Sequence, residues 1–142
     1  MTLEVYAVAP DTGLDVTGRL LYSRHISGAP VVDSRGAAVG VVTAKDLVDP
    51  DRRRSVEPGS STVYRLTSGG CEKLDGGPAA APGRAGDVMT SFVVAVSPAT
   101  ELRDAARLMV AEDIHRLFVI DERKQIIGIV SSMDLLRALL AA

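Results

Sequence analysis

The chain has 142 residues, 46% of them hydrophobic but only 4% aromatic, and a formal charge of −2. That length supports one domain with a real core, filled by Val, Leu, Ile and Ala, and the small net charge gives no global attraction to nucleic acid or an acidic membrane. One cysteine, Cys71, excludes an intrachain disulfide framework; with no signal-peptide pattern and no membrane-length apolar run, the expectation is a cytoplasmic domain.

Along the chain, Val5 and Ala7 alternate as in a half-buried strand that Pro10 ends, and Thr12 stands where a helix N-cap is expected. The helix over 14–22 is weakened by Gly13 and Gly18, each costing roughly 0.5–1 kcal/mol relative to Ala if interior. Runs at 29–32 and 39–42, separated by the polar turn 33–36, predict a hairpin, and a short helix follows at 44–48.

Residues 49–85 are rich in Gly, Pro, Ser and charge. Within them 62–66 and 71–74 flank Ser68-Gly69-Gly70, predicting a small β-hairpin. The segment is expected to be a tolerated surface insertion rather than a flap over a cleft. Arg52-Arg53-Arg54, with Asp49, Asp51 and Glu57 nearby, reads as a charged loop rather than a nucleic-acid contact.

The first pattern then returns. Val93 and Ala95 alternate, Pro98 ends the strand, and Thr100 takes the N-cap place. Leu102, Ala105, Ala106 and Met109 make one apolar helix face. Strands at 117–120 and 126–130 flank the turn 121–124, and a long helix closes the chain at 132–140. Sliding the sequence by 88 superposes residues 1–48 on 89–136 with 18 identities in 48 positions. One supersecondary unit is thus built twice. The expected fold is α+β, with two β-α-β-β-α repeats at 1–48 and 86–142, each a three-stranded sheet with two helices, joined by the insert 49–85 and packed together.

Each unit ends in Gly-hydrophobic-x-Thr/Ser-x-x-Asp: Gly40, Thr43 and Asp46, then Gly128, Ser131 and Asp134. Thr43-x-x-Asp46 and Ser131-x-x-Asp134 have capping-box spacing. They also suit a nucleotide: the carboxylates can accept ribose hydroxyls, the hydroxyls stand at helix N-termini that favour phosphate, and the glycines allow close approach. Both readings stay open on spacing alone. Arg24, His25, Lys45, His115 and Arg116 lie where they could meet an anion, and Met133 stands in place of Lys45, so two equivalent sites would differ in strength. Two histidines and one cysteine are a poor metal inventory, and no catalytic set repeats, so an enzyme is not expected.

The motifs His25-Ile26-Ser27-Gly28-Ala29-Pro30-Val31-Val32-Asp33, Ile114 to Asp121, Asp87-Val88-Met89-Thr90 and the two closing motifs resemble a tandem pair of CBS (cystathionine β-synthase) domains, the Bateman module. The resemblance implies a pseudo-twofold unit with two clefts that bind AMP, ADP, ATP, S-adenosylmethionine or NAD. By it, Asp46 and Asp134 are ribose positions, and Thr43 and Ser131 lie beside phosphate. Gly28, Ala29, Pro30, Lys45, His115 and Arg116 are further candidates. It implies no obligatory cofactor, a homodimer, and regulation of an unidentified effector. The alternative is a structural dimerisation module with empty clefts, for which the apolar Leu135, Leu136, Leu139 and Leu140 argue. The first repeat is expected to lack the lead-in helix that Gly86-Asp87-Val88 supplies to the second.

Overall fold

A computed structural model describes residues 4–52, 54–67, 70–91 and 94–141. The expectations placed on Val93, Arg53 and the Ser68-Gly69 turn lie outside these residues.

The first copy runs β1 (Val5–Val8), α1 (Leu14–Arg24), β2 (Gly28–Val32), β3 (Ala38–Thr43) and α2 (Ala44–Leu47). A 3-10 turn over Pro50–Arg52 opens the insert, whose hairpin is β4 (Thr62–Thr67) and β5 (Gly70–Asp75). A short α3 (Ala85–Val88) leads into β6 (Ala95–Val96), α4 (Leu102–Glu112), β7 (Arg116–Ile120), β8 (Ile126–Ser131) and α5 (Ser132–Ala141).

The insert is part of the first sheet. Strand β4 pairs antiparallel with β1, Val5 opposite Leu66 and Val8 opposite Val63, so the order becomes β3-β2-β1-β4-β5. The second sheet keeps three strands, β6-β7-β8. The sequence expectation of a surface insertion fails for this reason: β1 has a hydrogen-bonding edge, and the alternation of 62–66 buries Val63 and Leu66 on opposite faces of the sheet.

Among the described residues, three hydrophobic clusters form the core. Val8, Val31, Val42 and Val63 pack on Val16, Leu20 and Leu21 of α1 and on Val88. The two sheets meet face to face through Val5, Ala7, Val32 and Leu66 against Phe118 and Ile126. Ala105 and Met109 of α4 cover Leu117. Alternation along β1 explains the division, since Val5 and Ala7 face the other copy while Val8 faces α1.

Pro30 sits in β2, between β1 and β3, where a missing N–H would ordinarily break a ladder. Opposite it stands Val41, whose N–H and C=O point away from β2 to Thr90, at 2.9 and 2.8 Å. The pair is therefore a non-hydrogen-bonded one, and the proline removes no bond to β3. The same Val41–Thr90 exchange brings the second copy's lead-in against Gly40.

Two local expectations need correcting. Thr12 and Thr100 are not the N-caps; Gly13 and Glu101 are, without side-chain caps. The threonines instead close the preceding turn: Thr12 Oγ1 accepts from the Ala9 amide at 2.8 Å and donates to the Thr62 carbonyl at 2.6 Å, and Thr100 Oγ1 accepts from Ser97 N at 3.1 Å. Leu102 is 55% exposed, so the buried side of α4 narrows to Ala105 and Met109.

Candidate functional site

Strands β3 and β8 each pass directly into a helix, and the closing motifs lie at these two junctions. Ser131 N donates to Asp134 Oδ2 at 2.8 Å, and Asp134 N donates to Ser131 Oγ at 3.1 Å, a reciprocal capping box. The Ser131 amide holds the Asp134 carboxyl below the usual carboxylate range against the opposing effect of burial; the Ser131 hydroxyl and Arg137 add to it. Thr43 repeats the geometry, its amide 2.8 Å and its hydroxyl 3.0 Å from Asp46 Oδ2. Capping engages one oxygen of each carboxylate. At Asp46 the other, Oδ1, receives Arg52 Nη1 at 2.5 Å; Asp134 Oδ1 lies 3.9 Å from Arg137 Nη1.

In front of Asp134 lies a cavity of about 360 Å³ between the two copies. The first copy contributes Glu4, just before β1, with Val5 and Tyr6 of β1, and Ile26, just before β2, with Gly28 of β2. The second contributes Arg116, Ile129, Ser131, Met133, Asp134 and Arg137. Two guanidinium groups and two carboxylates thus converge on a cleft with apolar walls, in the size range of small-molecule sites. Arg116 also donates to Ser27 Oγ, tying the second copy to the loop before β2 of the first. Gly28 sits opposite Thr43 in the ladder; a Cβ there would lie 3.1 Å from the Val42 carbonyl and 3.3 Å from Thr43 Cγ2.

Of the residues singled out by sequence, Gly28, Arg116, Ser131 and Asp134 share this cleft. Ala29 and Pro30 continue β2 into the interior and are buried. Thr43 and Asp46 form the equivalent junction of the first copy, with Lys45 exposed beside them. His115 has an exposed side chain, while its carbonyl accepts the Ser132 amide at 2.8 Å and fixes the start of α5. His25 is the left-handed C-cap of α1, and Arg24 lies over the Tyr6 ring at 4.0 Å. Gly40 has a protein reason for being glycine: a Cβ would stand 2.7 Å from Met89 Sδ and 2.8 Å from the Thr90 carbonyl.

Sequence reasoning missed Glu4, Tyr6, Arg137 and Arg52. Arg137 was accessible in principle, three residues beyond Asp134 on a helix face. Arg52 was not, because it belongs to the insert and has no counterpart in the repeat.

A larger concavity, about 1130 Å³, lies between the hairpin tip, the 95–100 segment and the turn at 121–125. Its charged lining, Asp121, Glu122, Arg123 and Lys124, comes from one turn of the second copy, and neither closing motif reaches it. Among the described residues no group of three His, Cys, Asp or Glu could hold a metal, and no helix is long and apolar enough to cross a membrane.

The chain matches the family model of the CBS domain over residues 1–50 and 85–141. The uncharacterised protein MJ1426 of Methanocaldococcus jannaschii is 32% identical over 135 residues, covering 86% of this chain and 78% of the relative. The chloroplastic CBS domain-containing protein CBSX2 of Arabidopsis thaliana is 30% identical over 143 residues, covering 96% of this chain and 59% of the relative. Among solved structures, CBSX2 in complex with AMP superposes with a TM-score of 0.69 at 27% identity, covering 96% and 88% of the two chains. The cytosolic domain of the Mg2+ channel MgtE in complex with ATP gives 0.66 at 25% identity, covering 93% and 44%. Against inosine-5'-monophosphate dehydrogenase of Methanocaldococcus jannaschii the chain spans 21% of the relative's length.

Proposed function

The chain belongs to the CBS domain family, and from that premise we propose that it is a regulatory, non-catalytic sensor of an adenine nucleotide, bound in the cleft at Asp134. The observation that carries this reading is the convergence of Asp134, Ser131 and Arg116 with Gly28 between the copies. Asp134 accepts a ribose hydroxyl through Oδ1 while Oδ2 keeps its cap; a carboxylate has lone pairs for both. Ser131, Arg116 and Arg137 meet the phosphate, with the N-terminus of α5 adding its dipole. Ile26, Ile129, Met133 and Tyr6 wall the base. Gly28 gives the ligand room at the cleft mouth, Ala29 and Pro30 hold that strand in place, and His115 stands at the rim.

AMP in CBSX2 and ATP in the MgtE domain support the nucleotide class. ADP and S-adenosylmethionine are the competing ligands to be tested. Output passes through a partner protein. Self-association is favoured separately by α5, which has no buried residue while Leu136, Leu139 and Leu140 are 51%, 70% and 85% exposed.

Thermal unfolding with AMP, ADP, ATP and S-adenosylmethionine tests the reading. A ligand at 100 times its dissociation constant stabilises by about 2.7 kcal/mol, on the order of ten degrees at this size. A shift with one adenosyl ligand, abolished by Asp134→Asn, is expected. No shift with any of them refutes the sensor and leaves self-association as the function.

A further inference from the structure

The arginine run that begins at Arg52 leads straight into Ser55 and Val56 and lies beyond the repeated segment. Arg52 stands three residues before the serine, Arg54 one before it, and an apolar residue follows. Basophilic serine kinases read this charge pattern by pairing carboxylates of their own with the arginines. The surroundings suit such a reader. Pro50 cannot continue α2, and after the Pro50–Arg52 turn the described residues form neither helix nor named strand as far as Thr62. Arg54, Glu57 and Pro58 are exposed, and Val56 is 86% exposed.

Ser55 itself is half-buried, and its contacts give a modification there a consequence. Its amide donates to Asp87 Oδ2 at 2.9 Å and its hydroxyl to Asp87 Oδ1 at 3.0 Å. The same carboxylate accepts the Arg84 amide at 3.1 Å at the start of α3, so Ser55 clamps the insert to the second copy's lead-in. Burial pushes the Asp87 carboxyl up, but the Ser55 amide and hydroxyl, with the Arg84 and Arg54 amides, hold it below the usual carboxylate range. Among the described residues no lysine or arginine side chain forms an ion pair with it. The Asp87 charge is therefore met by neutral donors.

We infer that Ser55 is a phosphorylation site for a basophilic serine kinase, and that its phosphorylation unclamps the insert from α3. Ser55 Oγ attacks the γ-phosphorus of ATP; the Oγ–P bond forms as the bond to the ADP oxygen breaks, and the hydroxyl proton passes to the kinase's base. Access requires the two Ser55 bonds and the Arg52–Asp46 pair, whose arginine is 39% exposed, to open locally. The product carries about 1.5–2 negative charges against the Asp87 carboxylate and no longer has the hydroxyl proton to donate. Repulsion replaces both bonds. Helix α3 stays docked, because its Ala85 and Gly86 amides donate to the Thr12 and Pro10 carbonyls at 2.8 Å each. Neither the site nor its effect depends on the nucleotide reading above.

Incubating the full chain with ATP and the catalytic subunit of cyclic-AMP-dependent protein kinase, followed by peptide mass mapping, tests the site. One phosphate on Ser55 is expected, absent in Ser55→Ala and strongly reduced in Arg52→Ala. Melting of the phosphoprotein after removal of nucleotide tests the consequence. Its Tm is expected to fall by roughly 5 °C or more, since two hydrogen bonds to a charged acceptor are lost. Ser55→Ala, which keeps the amide bond and adds no charge, should fall by less than half as much. Phosphorylation of Asp87→Asn should likewise cost less than half the wild-type shift. No phosphate on Ser55, or labelling undiminished in Arg52→Ala, overturns the site. An unchanged Tm on phosphorylation, or an equal fall in Asp87→Asn, overturns the unclamping.

Discussion

Replacing Gly40 by alanine separates two explanations of the same glycine. The Cβ would enter at 2.7 Å from Met89 Sδ and 2.8 Å from the Thr90 carbonyl. The methionine side chain can turn aside; the carbonyl cannot, because it accepts the Val41 amide at 2.9 Å while the Thr90 amide donates back at 2.8 Å. Relief of the clash therefore strains the chain, at about 1–3 kcal/mol for overpacking, or parts the two bonds, at about 0.5–1.5 kcal/mol each. Reduced freedom of the unfolded chain returns about 0.4–1 kcal/mol. The net expectation is about 0.5–2.5 kcal/mol, a fall in Tm of roughly 2–8 °C for a chain of this length. Circular dichroism melting gives the Tm, and AMP affinity is measured well below the transition. An unchanged Tm would refute the claim that Gly40 accommodates the second copy's lead-in. An unchanged Tm with lost affinity would return the glycine to a ligand-approach role.

Thr12→Val should destabilise by about 2–4 kcal/mol in chemical denaturation, because it strands the Ala9 amide and the Thr62 carbonyl in the interior; Thr100→Val, whose partner Ser97 is exposed, should lose less than half as much. Gly18→Ala should stabilise by about 0.5–1 kcal/mol, since the new methyl meets only Leu47 Cδ1 at 3.7 Å and the repeat already places Ala106 at the equivalent helical position. The Asp134 carboxyl titrates lower folded than unfolded, so its contribution is present above the unfolded pKa and is lost as pH falls through the folded one. Asp134→Asn should accordingly flatten the acid limb of stability below about pH 4, with the contributions of Asp15 and Asp87, also held low, still in place.

The repeat made most of the architecture legible. Val31-Val32-Asp33 and Val119-Ile120-Asp121 occupy matching strands and turns: Asp33 Oδ1 accepts Arg35 N and Ala37 N, and Asp121 Oδ1 accepts Arg123 N and Gln125 N. The capping boxes were legible as well, because they are local and their spacing is their mechanism. What escaped was nonlocal. The edge of β1 that recruits β4 has no signature in β1 itself, and Thr12 serves a carbonyl fifty residues away. The cleft was half-visible: Ser131, Asp134, Arg116 and Gly28 stand on repeated motifs, while Glu4, Tyr6 and Arg137 are brought in by the way the copies face each other.

Amide chemical shifts followed through an AMP titration test the central claim most directly. The account predicts the largest changes at Gly28, Arg116, Ser131, Met133 and Asp134, lost in Asp134→Asn. Changes gathered instead along 95–100 and 121–125, or none at saturating AMP, would contradict it.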